Sequence, residues 1–381
     1  MSEAMAPIRK PPAGLALLVA VGPGMVWCAE YIGSGEVILA PRSGAILGLA
    51  ILWVPLLSIF IKYWIGLAGA LYTVTTGEGM IDMMSRTPGP RNWVLWPVFL
   101  GQLAAGAIAT GALASAAATF ASYFVPSIDR FLLGWTITAA VIAIVWAGEF
   151  RILKILMSIL VGIIVIGVFD VAYATWPGWG EVLVGMFGFQ VPEIPDWARA
   201  ADAEIGTAWD EILPLLGWAA GGFASQVWYT YWVLGAGYGM AQGREYGQPL
   251  DESRLRNLGA EEAETLRGWR RVVVFDATFA MVVGMVVTIA FAISGAMVLR
   301  VAEVAPEGPD VALALSKIFG ARWGEVGAHL YVLAGLAALV STLLGQFAGW
   351  PRLLADCARI LIPGVARFSW KTQFRTILGS I

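Results

Sequence analysis

Residues 13–44 read as one membrane helix interrupted at its middle. An apolar run reaches Glu30-Tyr31-Ile32, passes through Gly33-Ser34-Gly35-Glu36, and resumes as a second apolar run. A charged side chain at mid-membrane depth costs about 3 kcal/mol even on the lenient insertion scale, so two carboxylates there mark an ion or substrate path. The flanking glycines hold a helix poorly. Discontinuous helices near the bilayer midplane build the binding sites of secondary transporters, and that is the class this feature predicts.

Composition agrees. The 381 residues are 59% hydrophobic and 13% charged, with a mean hydropathy of +0.74. Soluble domains carry about 25% charged residues. The apolar sequence falls into stretches of about 20 residues, the length that spans a bilayer. A net charge of −3 with no basic block gives no reason to expect a nucleic-acid partner. Cys28 and Cys357 stand far apart and form neither a disulfide framework nor a zinc signature. The polar tail from Met1 to Pro12 lacks the cleavage site of a signal peptide.

The 20-residue criterion gives about eight spans: 13–44 (broken), 47–74, 93–122, 131–147, 152–174, 209–240 (broken), 269–299 and 323–348, with a ninth beginning near Leu353. The expected organisation is a tail over 1–12, a first five-span repeat over 13–174, an external acidic loop over 175–208, and an incomplete second repeat over 209–381. That loop holds Glu181, Glu193, Asp196, Asp202 and Glu204 against Arg199 alone. With the N-terminus inside, 17 Lys and Arg residues lie on the inner side, including Arg151 and Lys154. Only 6 lie outside: Arg42, Arg130, Arg199, Arg300, Lys317 and Arg322. The positive-inside rule therefore places the N-terminus in the cytoplasm, in a bacterial-type plasma membrane. Trp93, Trp96, Trp146, Trp176, Trp179 and Trp209 lie near span ends and read as interfacial anchors.

The sixth span is interrupted at Gly221-Gly222-Phe223-Ala224-Ser225-Gln226, five spans after the first break. An odd number of spans inverts the second unit, and the site is expected where the two breaks meet. In the third span, Gly101, Ala105, Ala109 and Leu113, with Gly106 and Thr110, form a small-residue packing face.

Gly22-Pro23-Gly24, Tyr31-Ile32, Thr76-Gly77, Asp276 opening span seven, and Ser341-Thr342-Leu343-Leu344-Gly345-Gln346-Phe347-Ala348-Gly349 together resemble the Nramp family of divalent-metal transporters. The resemblance implies an all-α, LeuT-like inverted-repeat fold, with the metal held between the broken first and sixth helices. Family members usually have about eleven spans, so this chain reads as C-terminally short. Where the family carries Asp-Pro-Gly-Asn, this sequence has Gly33, Ser34, Gly35 and Glu36. Where it carries Ala-x-x-Met-Pro-His, Gly221 is followed by Phe223, Ala224, Ser225 and Gln226. The Asp, the thioether and the histidine are absent. The family's acidic proton-route positions fall on Ala109 and Ala112.

The metal site expected from the resemblance comprises Glu36, Gly33, Glu30, Gly221, Ala224 and Gln226. Carboxylate and carbonyl oxygens without sulfur suit hard ions such as Mg²⁺ or Mn²⁺. Structural readings stand beside these. Glu30 is paired with Lys62 in one; Asp276 is a helix-end contact; Asp170 is interfacial; His329 packs against neighbours. The predicted function is alternating-access transport of a divalent cation without proton coupling. No cofactor is expected, and the metal and the bilayer are the partners; the oligomeric state is left open. The alternatives are a Na⁺-coupled transporter of an organic solute or amino acid, and a non-transporting sensor. With no His-Glu-x-x-His or comparable pattern, an enzyme is not expected.

Overall fold

The computed structural model describes the chain apart from residues 1–6, 15–16, 18–21, 147–149, 202–204, 308–310 and 381. Part of the tail and of the first apolar run, together with Asp202 and Glu204, therefore lies outside the described residues, as do the side chains of Arg151, Lys154 and Arg322.

The described residues are helical and connected by turns and loops. Helix α1 (Pro23–Tyr31) starts with proline at its first position, where no amide donor is lost, and ends at Ile32 with ψ 86°. Helix α2 (Gly35–Ile51) resumes after three residues at 48° to α1. Next come α3 (Trp53–Thr76) and the short α4 (Met80–Ser85), then α5 (Leu95–Ser122), α6 (Arg130–Trp146) and α7 (Phe150–Ala174). The acidic connection folds two short helices, α8 (Trp179–Phe187) and α9 (Asp196–Ala201). Helices α10 (Trp209–Trp218) and α11 (Phe223–Ala236) form the second broken pair. After α12 (Glu252–Arg256), the long α13 (Ala260–Ser294) runs on through a π turn to Leu299. Helix α14 (Val311–Leu361) is interrupted at Gly324, and α15 (Trp370–Leu378) follows. Among the described residues, four helices are long and apolar enough to cross a bilayer, or five if α1 and α2 count as one span. Three shorter apolar helices accompany them: 130–146, 165–174 and 311–321.

Both expected interruptions are present. Three expectations are corrected. No new span begins near Leu353, because α14 continues unbroken past it to Leu361. Asp276 does not open a span: it lies inside α13, fully buried, and the helix end it contacts is that of α1, its Oδ2 accepting from the Gly24 amide (2.7 Å) and from the Tyr229 hydroxyl (2.9 Å). A carboxylate there satisfies an orphan donor at the start of α1 and complements the positive end of its dipole. The small-residue face of α5 packs on α14 through Gly106, Ala109, Thr110 and Leu113, but Gly101 points away, with open space around it.

The core threads α1, α11, α13 and α14 together around Trp27, Tyr229, Trp232 and Tyr331. The anchoring tryptophans named from the sequence are all exposed, from 36% at Trp176 to 71% at Trp179, as side chains meeting lipid headgroups would be. His329 is exposed too, its Nδ1 against the Glu325 carbonyl and its ring against Tyr123, which fits the packing reading.

Ion pairs tie the bundle at both ends. At one, Arg42 bonds Glu211 (2.8 Å) across α2 and α10. At the other, Arg359 of α14 bridges Asp82 (2.6 Å) and Asp356 (2.8 Å), and Arg86 bonds Glu78 (2.6 Å). Burial raises the Glu78 pKa, but hydrogen bonds from Arg86, Tyr72 and the Leu250 amide more than offset this and leave it below the usual glutamate value. A depressed folded-state pKa contributes stability that is present above the unfolded value of about 4.3 and is lost as pH falls through the folded value. The melting temperature of the wild-type chain in detergent should therefore exceed that of Glu78→Gln at pH 6, with the gap closing below about pH 4. A gap independent of pH would contradict this assignment.

Candidate functional site

The two breaks face each other, and their backbone groups set the geometry. At the first, Ile32, Gly33 and Ser34 separate α1 from α2. At the second, Ala219 to Gly222 separate α10 from α11, with Ala220 (φ 59°) and Gly221 (φ 67°) in the left-handed region. Gly221 supplies a conformation that costs other residues strain. Gly33 is required for a different reason: a Cβ there would sit 2.2 Å from Thr342 Oγ1, so α14 approaches the backbone more closely than a side chain permits.

Each break exposes amides and carbonyls that need partners in a low-dielectric interior. Glu36, fully buried, provides them for both. Its Oε2 accepts from the Gly33 amide (3.0 Å) and its Oε1 from the Ala220 amide (3.0 Å). Ser341 and Thr342 donate to the Ala29 and Ile32 carbonyls, and Gln226 Nε2 donates to the Ala220 carbonyl (2.9 Å). Lys62 donates to the carbonyls of Leu216, Gly217 and Ala219 at 2.7–3.0 Å. A cation at the C-terminal end of α10 is favoured by the helix dipole. The expected Glu30–Lys62 pair is therefore not formed. Glu30 instead accepts from the Ser225 hydroxyl (2.6 Å), because Lys62 is taken up by the unwound carbonyls.

Between the breaks lies a cavity of about 250 Å³. Of the six residues predicted for the site, Glu30, Gly33, Gly221 and Ala224 line it; Glu36 and Gln226 do not. Both Glu36 oxygens and Gln226 Nε2 are turned into the backbone of the breaks, so both residues act as struts behind the wall, while Gln226 Oε1 is buried toward Gly66 without a hydrogen-bond partner. The sequence reading missed the α14 wall (Thr342, Gln346, Trp350), Gln102 of α5, and the aromatic residues Trp218, Phe223 and Trp228. One signal was available: Thr342, Gln346 and Trp350 are four residues apart and share one helix face. Among the described residues, no group of three or more His, Cys, Asp or Glu is placed to hold a metal. The cavity wall contains no sulfur or imidazole. What it offers is one carboxylate, hydroxyls, carboxamides and opened backbone.

The strut assignment separates folding from binding. Glu36→Gln puts an NH₂ against one of the two amides it now accepts from, leaving a buried donor unpaired at a cost of about 1–3 kcal/mol. Its melting temperature in detergent should fall. Gly33→Ala, which forces Thr342 away, should lower it as well. Unchanged melting in both variants would show that the breaks do not depend on these contacts.

Comparisons with known proteins agree with this fold. Residues 24–209 match the family described as natural resistance-associated macrophage protein-like, Nramp. A divalent metal cation transporter MntH of Burkholderia ambifaria is 27% identical over 204 residues; the alignment covers 52% of this chain and 44% of that protein, so the chain spans less than half of the curated relative it matches. Crystal structures of variants of a manganese transporter from Eremococcus coleocola superpose with TM-scores of 0.60–0.61 at 19% identity, covering 99% of this chain and 79% of theirs. Mhp1, a nucleobase-cation-symport-1 family transporter, aligns with a TM-score of 0.52 at 14% identity, covering 100% of this chain and 73% of its own. The last two are likenesses of fold.

Proposed function

We propose that this chain, an integral membrane protein, is a member of the Nramp family and a secondary transporter that moves a divalent metal cation by alternating access. The observation that carries the reading is the cavity between the two helix breaks, with Glu30 as its carboxylate. A hard ion such as Mg²⁺ or Mn²⁺ suits it best, because every polar group on the wall that could meet a cation is an oxygen or a carboxamide, with no soft ligand. Space supports the same choice. A water occupies about 30 Å³, so the cavity has room for an ion that keeps part of its hydration shell. Mg²⁺ sheds that shell reluctantly.

The binding set we propose is Glu30, Ser225 and the opened backbone at Gly33 and Gly221, with Ala224 leaving room where a larger side chain would intrude. Glu36 and Gln226 support it by holding the breaks open. Ala109 and Ala112 carry no proton, which favours transport down a gradient or driven by membrane potential over proton symport. The end bearing Arg86 and Arg359 is taken as cytoplasmic, by the distribution of Lys and Arg.

One observation favours a second reading. Trp218, Phe223, Trp228 and Trp350 give the wall more aromatic surface than a bare ion needs, so a small organic solute fits as well. Proteoliposome flux and calorimetry separate the two. Mn²⁺ or Mg²⁺ uptake and binding heat are expected from the wild type. Glu30→Gln should abolish both while its melting temperature stays near wild type, in contrast to Glu36→Gln. Ion binding that survives Glu30→Gln, or heat only from organic solutes, would refute the metal reading.

A further inference from the structure

Gln346 occupies a position that neither the fold nor the helix breaks explain. It lies on α14 one turn after Thr342 and one turn before Trp350, and all three line the cavity. Its two neighbours are committed: the Thr342 hydroxyl donates to the Ile32 carbonyl, and Trp350 Nε1 donates to Gln102 Oε1 (2.9 Å). Gln346 is only 4% exposed, and its Oε1 is shut away from solvent with no hydrogen-bond partner. Buried side-chain oxygens are nearly always partnered, by protein or by an ordered water. An apolar side chain of similar shape would avoid the cost of desolvating this carboxamide. A lone amide oxygen beside a cavity that holds a carboxylate is the arrangement a bound cation would complete.

Resting on the metal reading above, we propose that Gln346 Oε1 is a selectivity ligand for the transported ion. It reaches the ion, or a water in its inner shell, from α14, while Glu30 reaches it from α1. A neutral amide oxygen is a hard donor, well matched to Mg²⁺ and Mn²⁺ and poorly matched to Cd²⁺. Because Thr342, on the same helix face, also holds the end of α1, α14 would sense the ion and the break together.

The test measures Mg²⁺, Mn²⁺ and Cd²⁺ binding by calorimetry on purified full-length protein, with melting temperature followed in parallel. Gln346→Leu removes the unpartnered oxygen at similar volume. It should keep or raise the melting temperature while weakening Mn²⁺ binding about tenfold, the loss of one ordinary ligand contact. Gln346→Met puts a thioether in the same place and should shift the Cd²⁺-to-Mg²⁺ affinity ratio toward Cd²⁺ by about tenfold. A merely structural residue would move the melting temperature and leave the ion ratio as it was. If Glu30→Gln abolishes binding but both Gln346 variants bind all three ions like wild type, this proposal is overturned and the metal reading survives. If the wild type binds none of the ions, or Glu30→Gln binds them normally, the metal reading fails and this ligand assignment fails with it.

Discussion

Inside a bilayer, a helix cannot be interrupted unless the protein itself satisfies the backbone groups set free. The rest of this structure depends on that constraint. Glu36 is its main instrument: one carboxylate, fully buried, accepts from an amide in each break and so joins two segments 184 residues apart. The freed carbonyls go to Ser341, Thr342, Ser58, Gln226 and Lys62. The cavity exists because these partners hold the breaks open. A substitution that removes a strut should therefore be felt first as instability, and as altered binding only through it.

The same logic extends to the bundle ends. Arg42 joins α2 to α10 at one end, and Arg359 joins α14 to α4 at the other. Both arginines are largely buried, with side chains 13% and 14% exposed, and each is matched by carboxylates. Breaking such a pair on one side strands a buried charge, which costs more than the intact pair contributes. Paired arginines at both ends thus make this arrangement a discrete state. A transporter that alternates between discrete states needs contacts of this kind on the side that is closed.

How far the sequence could be read follows from which contacts are local. The first break was legible because two carboxylates and two glycines fall within seven residues of an apolar run. The second was legible because its glycines recur five spans later. The role of Glu36 was not legible. A π turn over Gly35–Leu39 opens α2, and a turn of five rather than four residues re-aims the side chains around it in a way no spacing rule shows. Glu30 and Glu36 look equivalent on paper; only the fold turns one toward the cavity and the other into the backbone. Lys62 gave the same difficulty, since three carbonyls at the end of α10 compete for it and a sequence does not display freed carbonyls. The position of Asp276 was misplaced because Arg270 and Arg271 suggest a membrane boundary, whereas the helix starts at Ala260 and carries Asp276 past it to the start of α1. The α14 wall lies more than 300 residues from the first break, and nothing local joins them.

A seat with a single carboxylate, as proposed here, is also what transport would require. Three or four acidic or imidazole ligands would hold a divalent cation tightly, as resident metal sites do, and the ion would be slow to leave. Conduction or carriage requires binding that is favourable on arrival yet weak enough to reverse. In the proposed seat, one charge would attract the ion, neutral oxygens would complete its shell, and retained water would soften the grip. A neutral shell selects by hardness and by the room left for water rather than by charge. On that proposal the choice among ions would fall to the uncharged residues of the wall, while Glu36 and Lys62 hold the architecture of the breaks.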